Sequence, residues 1–414
     1  MTAPSCKRRS RRELAWMPQA GSGPRVIVVG AGVVGCSLAF HLAQLGAEVT
    51  VFDKGPICAG MSARSGALVR MHYSFAPEAD LAWKSLAYFE NWARMVGGRC
   101  GFVRTGFAVV VAPENADKLR ANVAMLKSLG VETELVDRDQ LRKIEPAVRV
   151  DDVGLAAYEP RSGYADPVAT TEAFAAAAEK LGATFQLNTA IAALAVNAGR
   201  MAGVTDRSGK THAADFVCLV TGPWTDTLLA PFGLKLGIKP ERAQIAFFRK
   251  PPTLRHSIFI DTIAGSYFRP HGDDLTMAGL GALSPDAPTD PDSFNETNDA
   301  EFVEAVRARL TARIPALKDA PYVRGHAGIY DVTPDARAAI GPIAEVPGLY
   351  VAAGFSGTGF KTSPAVGAAM AELIVEGKSK TADLSALSFA RFVTGKLIHA
   401  PNEYTMAAGF GHTL

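Results

Sequence analysis

The sequence has few cysteines, and they follow no metal-binding or disulfide pattern. Five cysteines are scattered over 414 residues without a CxxC pair. Structural zinc sites and disulfide frameworks need paired or regularly spaced cysteines, so we predict neither of them and no metal site. An odd number of scattered thiols is typical of proteins from reducing compartments. We therefore predict a cytoplasmic location.

An excess of charge of one sign and a long apolar run are also absent from the sequence. Lysine and arginine number 43 against 41 aspartates and glutamates, which leaves a formal net charge of +2. This balance gives no electrostatic reason to expect a nucleic-acid partner. No apolar run approaches the roughly 20 residues that span a bilayer. We predict neither nucleic-acid binding nor a membrane span.

The first 24 residues differ in composition from the rest of the chain. Five of the six residues from Lys7 to Arg12 are basic, and no apolar segment follows them, which argues against a secretory signal. We interpret residues 1–24 as a disordered basic tail. A mitochondrial presequence is the alternative, because no acidic residue precedes Glu13. Residues 391–414 are interpreted as a C-terminal tail.

Residues 25–53 predict a strand, a tight turn, a helix and a second strand. Residues 26–29 (VIVV) are a continuous apolar run, as expected for a strand that is buried on both faces. Residues 30–35 (GAGVVG) match the GxGxxG pattern and open a helix that ends before Gly46. The second strand ends at Asp53, 18 positions after Gly35, close to the roughly 20 of a dinucleotide-binding unit.

Each part of this unit has a physical function. Gly30 makes the turn, Gly32 leaves room for a pyrophosphate, and Gly35 allows the helix to pack closely on the strand. Backbone N–H groups at the start of the helix bind the anion, and Asp53 can accept hydrogen bonds from the ribose hydroxyls. The motif alone predicts a dinucleotide and does not separate FAD from NAD.

Later segments of the chain resemble the D-amino-acid oxidase superfamily of flavoproteins, and within it sarcosine oxidase, glycine oxidase and the catalytic subunits of amino-acid dehydrogenases. The resemblance runs from Arg25 to about Ile374. The segments that carry it are residues 62–73 (SARSGALVRMHY), 162–167 (SGYADP), 221–224 (TGPW), 328–341 (GIYDVTPDARAAIG) and 354–361 (GFSGTGFK).

The resemblance implies FAD as the cofactor. The residues that it places at FAD, together with the glycine turn, are Gly30, Gly32, Val33, Val34, Gly35, Asp53, Lys54, Arg64, Ser65, Gly66, Ala67, Ile191, Gly222, Gly357, Thr358, Gly359, Phe360 and Lys361.

The expected fold class is α/β, with a Rossmann-type FAD-binding domain and an inserted α+β substrate domain built on a mixed sheet. Both ends of the chain read as strand, glycine-rich loop and helix, whereas the middle is mostly β. We predict that residues 25–90, 150–240 and 330–390 form the FAD-binding domain, and that residues 91–149 and 241–329 form the substrate domain.

The resemblance also implies a substrate class and a reaction. Arg70 matches the arginine that holds a substrate carboxylate, a role that suits a bidentate and permanently charged guanidinium. Lys361 matches a lysine near the same carboxylate, and Tyr330 is expected to line the substrate side. The predicted substrate is a small amino or N-alkylamino acid. Its C–N bond would be oxidised by hydride transfer to flavin, and the imine would then be hydrolysed.

Three departures from the family pattern modify these expectations. Gly328 stands where a cysteine tethers the flavin in some relatives, and residues 163–167 contain no histidine, so FAD is expected to be non-covalent. Thr276 loosely aligns with a lysine that assists oxygen reduction, which favours a dehydrogenase over an oxidase. The electron acceptor is therefore oxygen or a redox partner. Thr358 replaces a histidine of the last loop.

Two alternative functions and one question of assembly stay open. Oxidation of a 2-hydroxy acid needs a base beside the alcohol, for which His72, His271 and His326 are the candidates. The chain could also be a flavin-binding accessory or assembly subunit without turnover of its own. A hetero-oligomer is left open, because the sequence does not define partner subunits.

Overall fold

The computed structural model of the chain describes residues 23–281 and 289–404. Most of the basic tail predicted at residues 1–24, and the last ten residues of the C-terminal tail, lie outside the described residues. Among the described residues, none of the helices combines the length and apolarity that a bilayer span requires.

The described residues form strands and helices that are numbered here in chain order. The strands are β1 (Arg25–Val29), β2 (Glu48–Phe52), β3 (Leu68–Val69), β4 (Val103–Arg104), β5 (Phe107–Val111), β6 (Glu134–Val136), β7 (Leu155–Glu159), β8 (Gly163–Tyr164), β9 (Thr184–Gln186), β10 (Ile191–Asn197), β11 (Arg200–Asp206), β12 (Thr211–Ala213), β13 (Phe216–Leu219), β14 (Lys239–Arg249), β15 (Ile258–Asp261), β16 (Ser266–His271), β17 (Leu275–Leu280), β18 (Tyr322–Val332), β19 (Ala339–Pro342) and β20 (Leu349–Ala353). The helices are α1 (Val33–Gln44), α2 (Ala76–Glu90), α3 (Trp92–Met95), α4 (Ala116–Ser128), α5 (Arg138–Ile144), α6 (Pro167–Lys180), α7 (Thr225–Leu229), α8 (Ala300–Arg313), α9 (Gly359–Glu376) and α10 (Ala390–Thr394).

A six-stranded sheet in the order β19-β20-β13-β1-β2-β9 forms the base of the predicted cofactor domain. Strand β1 pairs in parallel with both β2 and β13, as expected for short apolar strands that are covered on both faces. Only β19 runs antiparallel to its neighbour. The predicted strand, turn, helix and strand of residues 25–53 are confirmed.

An eight-stranded sheet in the order β18-β14-β17-β16-β15-β5-β7-β6 forms the second layer. It is mixed, because β15 runs parallel to β5 while β14 and β17 are antiparallel. The predicted fold class, a Rossmann-type domain with an α+β insertion on a mixed sheet, is confirmed. Strand β7 lies in this sheet although residues 150–240 are predicted as cofactor domain, and the domain boundaries stay a prediction.

Helices α1 and α9 cross at very short range. A Cβ atom at Gly367 would lie 2.3 Å from Ser37 Oγ, so only hydrogen fits at this position. The hydroxyl of Ser37 donates to the carbonyl of Ser363 at 2.8 Å. This contact fixes the crossing of two helices that come from opposite ends of the chain.

Helix α8 is fixed to the large sheet by a buried arginine. Arg313 Nε donates to Asp261 Oδ2 at 2.7 Å, and the side chain of Asp261 is fully buried. The same guanidinium reaches Asp152 at 2.7 Å, but that carboxylate is 51% exposed. The two acidic partners of Arg313 therefore differ in burial, which allows their contributions to be compared.

We predict that Asp261→Asn lowers the free energy of unfolding by about 3 kcal/mol, because it leaves a buried guanidinium with only partial compensation. The check is urea unfolding followed by circular dichroism. Asp152→Asn is the matched control and should cost less than about 1 kcal/mol, since its carboxylate is half exposed. Equal losses in the two variants would contradict the assignment.

Candidate cofactor and substrate site

One cavity of about 600 Å³ connects the two glycine-rich loops. Its lining includes Gly30 and Asp53 from the first loop and Gly357 and Lys361 from the last. The predicted site residues that line it are Gly30, Gly32, Val33, Val34, Gly35, Asp53, Lys54, Arg64, Ser65, Gly66, Ala67, Arg70, Ile191, Gly222, Tyr330, Gly357, Gly359, Phe360 and Lys361. The fold thus brings together segments that are far apart in sequence.

Two positions of the first glycine turn, Gly30 and Gly35, have no room for a side chain. Gly30 has φ +118°, and a Cβ atom there would lie 2.3 Å from the carbonyl oxygen of Val220. A Cβ atom at Gly35 would lie 1.9 Å from the carbonyl oxygen of Gly30. Helix α1 therefore begins at the cavity wall, with Gly32 as an N-cap that has no side chain. The positive end of the helix dipole faces the cavity, where a diphosphate would be stabilised.

Asp53 is held in a fixed orientation beside this turn. Its Oδ2 accepts the N–H of Ala31 at 2.7 Å, and its Oδ1 accepts the N–H of Gly55 at 2.8 Å. The carboxylate lines the cavity and ties the end of β2 to the glycine turn. Its contact with ribose hydroxyls stays a prediction.

The last glycine-rich loop is organised by Asp331, which sequence reasoning did not assign. The carboxylate of Asp331 accepts the N–H of Gly354 at 2.7 Å and that of Ser356 at 3.2 Å. Ser356 and Gly357 both have positive φ, +51° and +93°. Burial raises the pKa of Asp331. The loop is therefore shaped by a side chain from β18, in the segment that resembles the family's flavin-side strand.

Helix α9 begins in this loop and opens on the same cavity. Gly359, Phe360 and Lys361 in its first turn line the cavity. Thr358 does not, because its hydroxyl and its backbone N–H both donate to the carbonyl of Phe355, at 2.8 and 2.9 Å. The structure thus separates Thr358 from the other predicted cofactor residues.

Two buried cations stand together at one wall of the cavity. Arg70 and Lys361 are only 3% and 6% exposed. The guanidinium of Arg70 lies 4.6 Å from the ring centroid of Tyr73, and Lys361 Nζ lies 5.8 Å from the same centroid. Burial and the neighbouring Arg70 lower the pKa of Lys361 well below its usual value, against the opposing effect of Glu78. A carboxylate is the ligand that such a pair favours.

Tyr330 and apolar side chains form a further part of the cavity wall. The phenol of Tyr330 hydrogen-bonds with that of Tyr267, and burial raises the pKa of both. Ile245 on β14 and Ile260 on β15 line the cavity from the large sheet. Sequence reasoning missed Tyr267, because only the pairing of β16 with β17 brings its strand towards the cavity.

The three histidines proposed as bases for alcohol oxidation do not line the cavity. His72 is fully buried, bonds to Tyr404 at 2.7 Å, and burial lowers its pKa to about 3. His271 lies between Arg269 and Arg324, at 3.3 Å from each. His326 contacts the carbonyl of Arg64 at 3.2 Å. The geometry gives none of them access to a substrate hydroxyl in the cavity.

The loose alignment that placed Thr276 beside the flavin is corrected by the structure. Its hydroxyl bonds to His256 Nε2 at 2.9 Å, and Thr276 is fully buried away from the cavity. Strand residues alternate between faces, so the next residue, Met277, points towards the cofactor loop. Its Cε atom would lie 3.3 Å from a Cβ atom at Gly66.

The residues of the cavity fit FAD. The Gly30–Gly35 turn and the start of α1 could cradle a diphosphate, and Asp53 and Ile191, which the resemblance predicts at the adenosine half, line the same cavity. Gly66, Gly357 and Lys361 would hold the flavin half. Gly328 also lines the cavity, with no side chain to form a tether. Among residues 23–281 and 289–404, no group of ligating side chains is placed to hold a metal ion.

Comparisons with known proteins agree with this geometry. The family model DAO, described as FAD dependent oxidoreductase, matches residues 25–373. Glycine oxidase from Geobacillus kaustophilus is 27% identical over 89% of this chain and 97% of the relative. Sarcosine oxidase subunit beta from Rhodobacter capsulatus is 25% identical over 97% of this chain and 95% of the relative. The crystal structure of L-proline dehydrogenase from P. horikoshii matches with a TM-score of 0.83 and 29% identity, over 92% of this chain and 100% of that one.

We predict that Gly35→Ala abolishes stable binding of FAD, because the added Cβ atom would lie 1.9 Å from a backbone carbonyl of the turn. The measurement is the ratio of flavin to protein absorbance after dialysis. Gly60→Ala is the matched control, since Gly60 also lines the cavity but a Cβ atom there meets nothing within 4 Å. Equal flavin content in both variants would contradict the assignment of the Gly30–Gly35 turn to FAD binding.

Proposed function

The chain belongs to the DAO family of FAD-dependent oxidoreductases, and from this premise we propose that it oxidises the C–N bond of a small amino or N-alkylamino acid. The observation that carries the proposal is the buried pair of Arg70 and Lys361 in the wall of the FAD cavity. Two cations in a desolvated site favour an anionic substrate group.

The names of the relatives support the same reaction class. Glycine, sarcosine and proline are small carboxylate-bearing amines, and the relatives named for them cover most of this chain. Their substrates differ in the substituent on nitrogen or the α-carbon and share the C–N bond and the carboxylate. We infer that Arg70 and Lys361 recognise the shared part, while the wall formed by Ile245, Ile260 and Tyr267 receives the variable part.

The protein contributes orientation and exclusion of water. Arg70 binds the carboxylate through two parallel hydrogen bonds, and Lys361 adds a second positive charge. The part of the wall that contains the paired phenols of Tyr267 and Tyr330 keeps the amine and the α-hydrogen in one place. FAD supplies the two-electron acceptor when it is bound. Loss of a hydride from the neutral amine leaves an iminium ion, which water hydrolyses to a carbonyl product, the freed amine and a proton.

The proposed electron acceptor is a redox partner. Met277 occupies the strand position that points to the cofactor loop, so this position offers no cation for the reduction of oxygen. The similarity to a subunit of sarcosine oxidase and to a proline dehydrogenase supports a hetero-oligomer that passes electrons to another site. We propose the cytoplasm as its location.

We predict that amino or N-alkylamino acids bleach the flavin absorbance of the purified protein under anaerobic conditions. The panel should contain amino acids, N-methylamino acids and 2-hydroxy acids with matched substituents. Bleaching by hydroxy acids alone would overturn the proposed amine chemistry. Bleaching by no member of the panel would favour an accessory subunit.

Two controls sharpen this test. Arg70→Ala should weaken carboxylate substrates at least tenfold while the flavin content stays unchanged, because the loss of a buried charge-assisted pair costs more than about 1.4 kcal/mol. Loss of flavin instead would show that Arg70 serves the cofactor. Repeating the active case in air with peroxide detection distinguishes an oxidase from a dehydrogenase.

The lowered pKa of Lys361 predicts a pH dependence of anion binding. A protonated Lys361 attracts the carboxylate more strongly than a neutral one, so the Kd of a simple aliphatic carboxylate inhibitor should rise as the pH passes the pKa of Lys361 and then level off at the value that Arg70 alone supports. Titration of flavin absorbance measures this Kd without an amine that titrates itself.

Lys361→Met is the comparison variant. It should lose this pH step and bind the inhibitor as weakly at low pH as the wild type does at high pH. Burial raises the pKa of Glu159, which interacts with Arg70, to about 7, and its titration should appear in both proteins. Identical pH profiles would contradict the role of Lys361.

A further inference from the structure

A short segment of the substrate region crosses the cofactor cavity. Residues 291–296, hereafter the clasp, contribute Pro291, Asp292, Phe294 and Glu296 to the cavity lining. These residues lie in the same lining as the glycine turn and the end of β2. The cavity is therefore bounded by the cofactor domain on one side and by the clasp on the other.

Two ion pairs join the clasp to cofactor loops. Asp292 pairs with Lys54, whose Nζ lies 3.8 Å from the ring centroid of Trp224. Glu296 pairs with Arg64 at 2.6 Å. Lys54 and Arg64 both line the cavity, so each cation lies between a clasp carboxylate and the space that FAD would fill.

The clasp itself is anchored on the large sheet. Arg242 Nε on β14 donates to the carbonyl of Asn295 at 2.8 Å, and the N–H of Ala327 on β18 donates to the carbonyl of Glu296 at 2.8 Å. The two ion pairs therefore connect the large sheet with the cofactor loops. An opening of the clasp has to break both of them.

We propose that the clasp retains FAD by holding Lys54 and Arg64 over the cofactor. Both cations line the space for a cofactor that carries a diphosphate, and the clasp carboxylates hold their side chains there. Arg64 Nη1 is also held by the carbonyls of Ala59 and Gly60, each at 3.2 Å. The proposal rests on FAD binding and not on the oxidised substrate, so its failure and that of the proposed amine oxidation are distinguishable.

The size of the effect follows from the exposure of the pairs. Asp292 and Glu296 are 61% and 60% exposed, and exposed pairs contribute at most about fivefold each to an equilibrium or a rate. We expect the double variant Asp292→Asn, Glu296→Gln to release FAD about three- to twentyfold faster. Salt should accelerate release from the wild type and have much less effect on the double variant.

The experiment follows the release of FAD from the purified holoenzyme by the rise in flavin fluorescence after dilution, at low and high salt. Asp290→Asn is the matched control, because it removes one charge beside the clasp while its amide oxygen can still accept the N–H of Asp292, as Asp290 does at 2.9 Å. Its release rate should equal that of the wild type. Thermal unfolding of the three holoproteins confirms that the fold is unchanged.

Two outcomes overturn the proposal. Unchanged release in the double variant would show that the ion pairs do not hold the cofactor. Slower release would show that Asp292 and Glu296 compete with the diphosphate for Lys54 and Arg64. Retained turnover in a variant that loses FAD faster would leave the proposed amine oxidation intact.

Discussion

The close contact between α1 and α9 is the constraint on which the site depends. The two helices come from opposite ends of the chain, and they cross closely where Gly367 lets Ser37 approach its backbone. Each helix begins in a glycine-rich loop, so this one contact brings two positive helix ends onto a single cavity. Backbone N–H groups that need no rearrangement can then donate hydrogen bonds to the anionic and electron-rich parts of a bound dinucleotide.

The burial of two positive charges in the cavity wall is the second constraint on the site. Arg70 and Lys361 repel each other in a site with little water, and Glu78 offsets only part of that repulsion because it also pairs with Arg337 at 2.8 Å. A site with excess positive charge is completed by an anionic ligand. The folded protein therefore already presents positive charge that favours a carboxylate, before any substrate binds.

Much of the site was predictable from sequence because its loops are local. The Gly30–Gly35 turn owes its shape to residues within a few positions, and its spacing to Asp53 is a property of one strand-helix-strand unit. Arg70 and Lys361 were found through a resemblance and not through spacing. The roles of Asp331 and Tyr267 were not predicted, because nothing in their neighbouring sequence shows which loop or cavity their strands will face.

The sequence by itself determined the cofactor class, the fold class and the identity of the two buried cations that we propose bind a carboxylate. Only the tertiary structure decided which face of a strand each residue occupies and which distant segments touch. In the folded chain Thr276 points away from the cofactor loop and Met277 points towards it. Asp292 and Glu296 form ion pairs with Lys54 and Arg64. The physical reason is that pairing register and interdomain contacts depend on the whole packed chain, whereas turns and helix starts depend on their nearest neighbours.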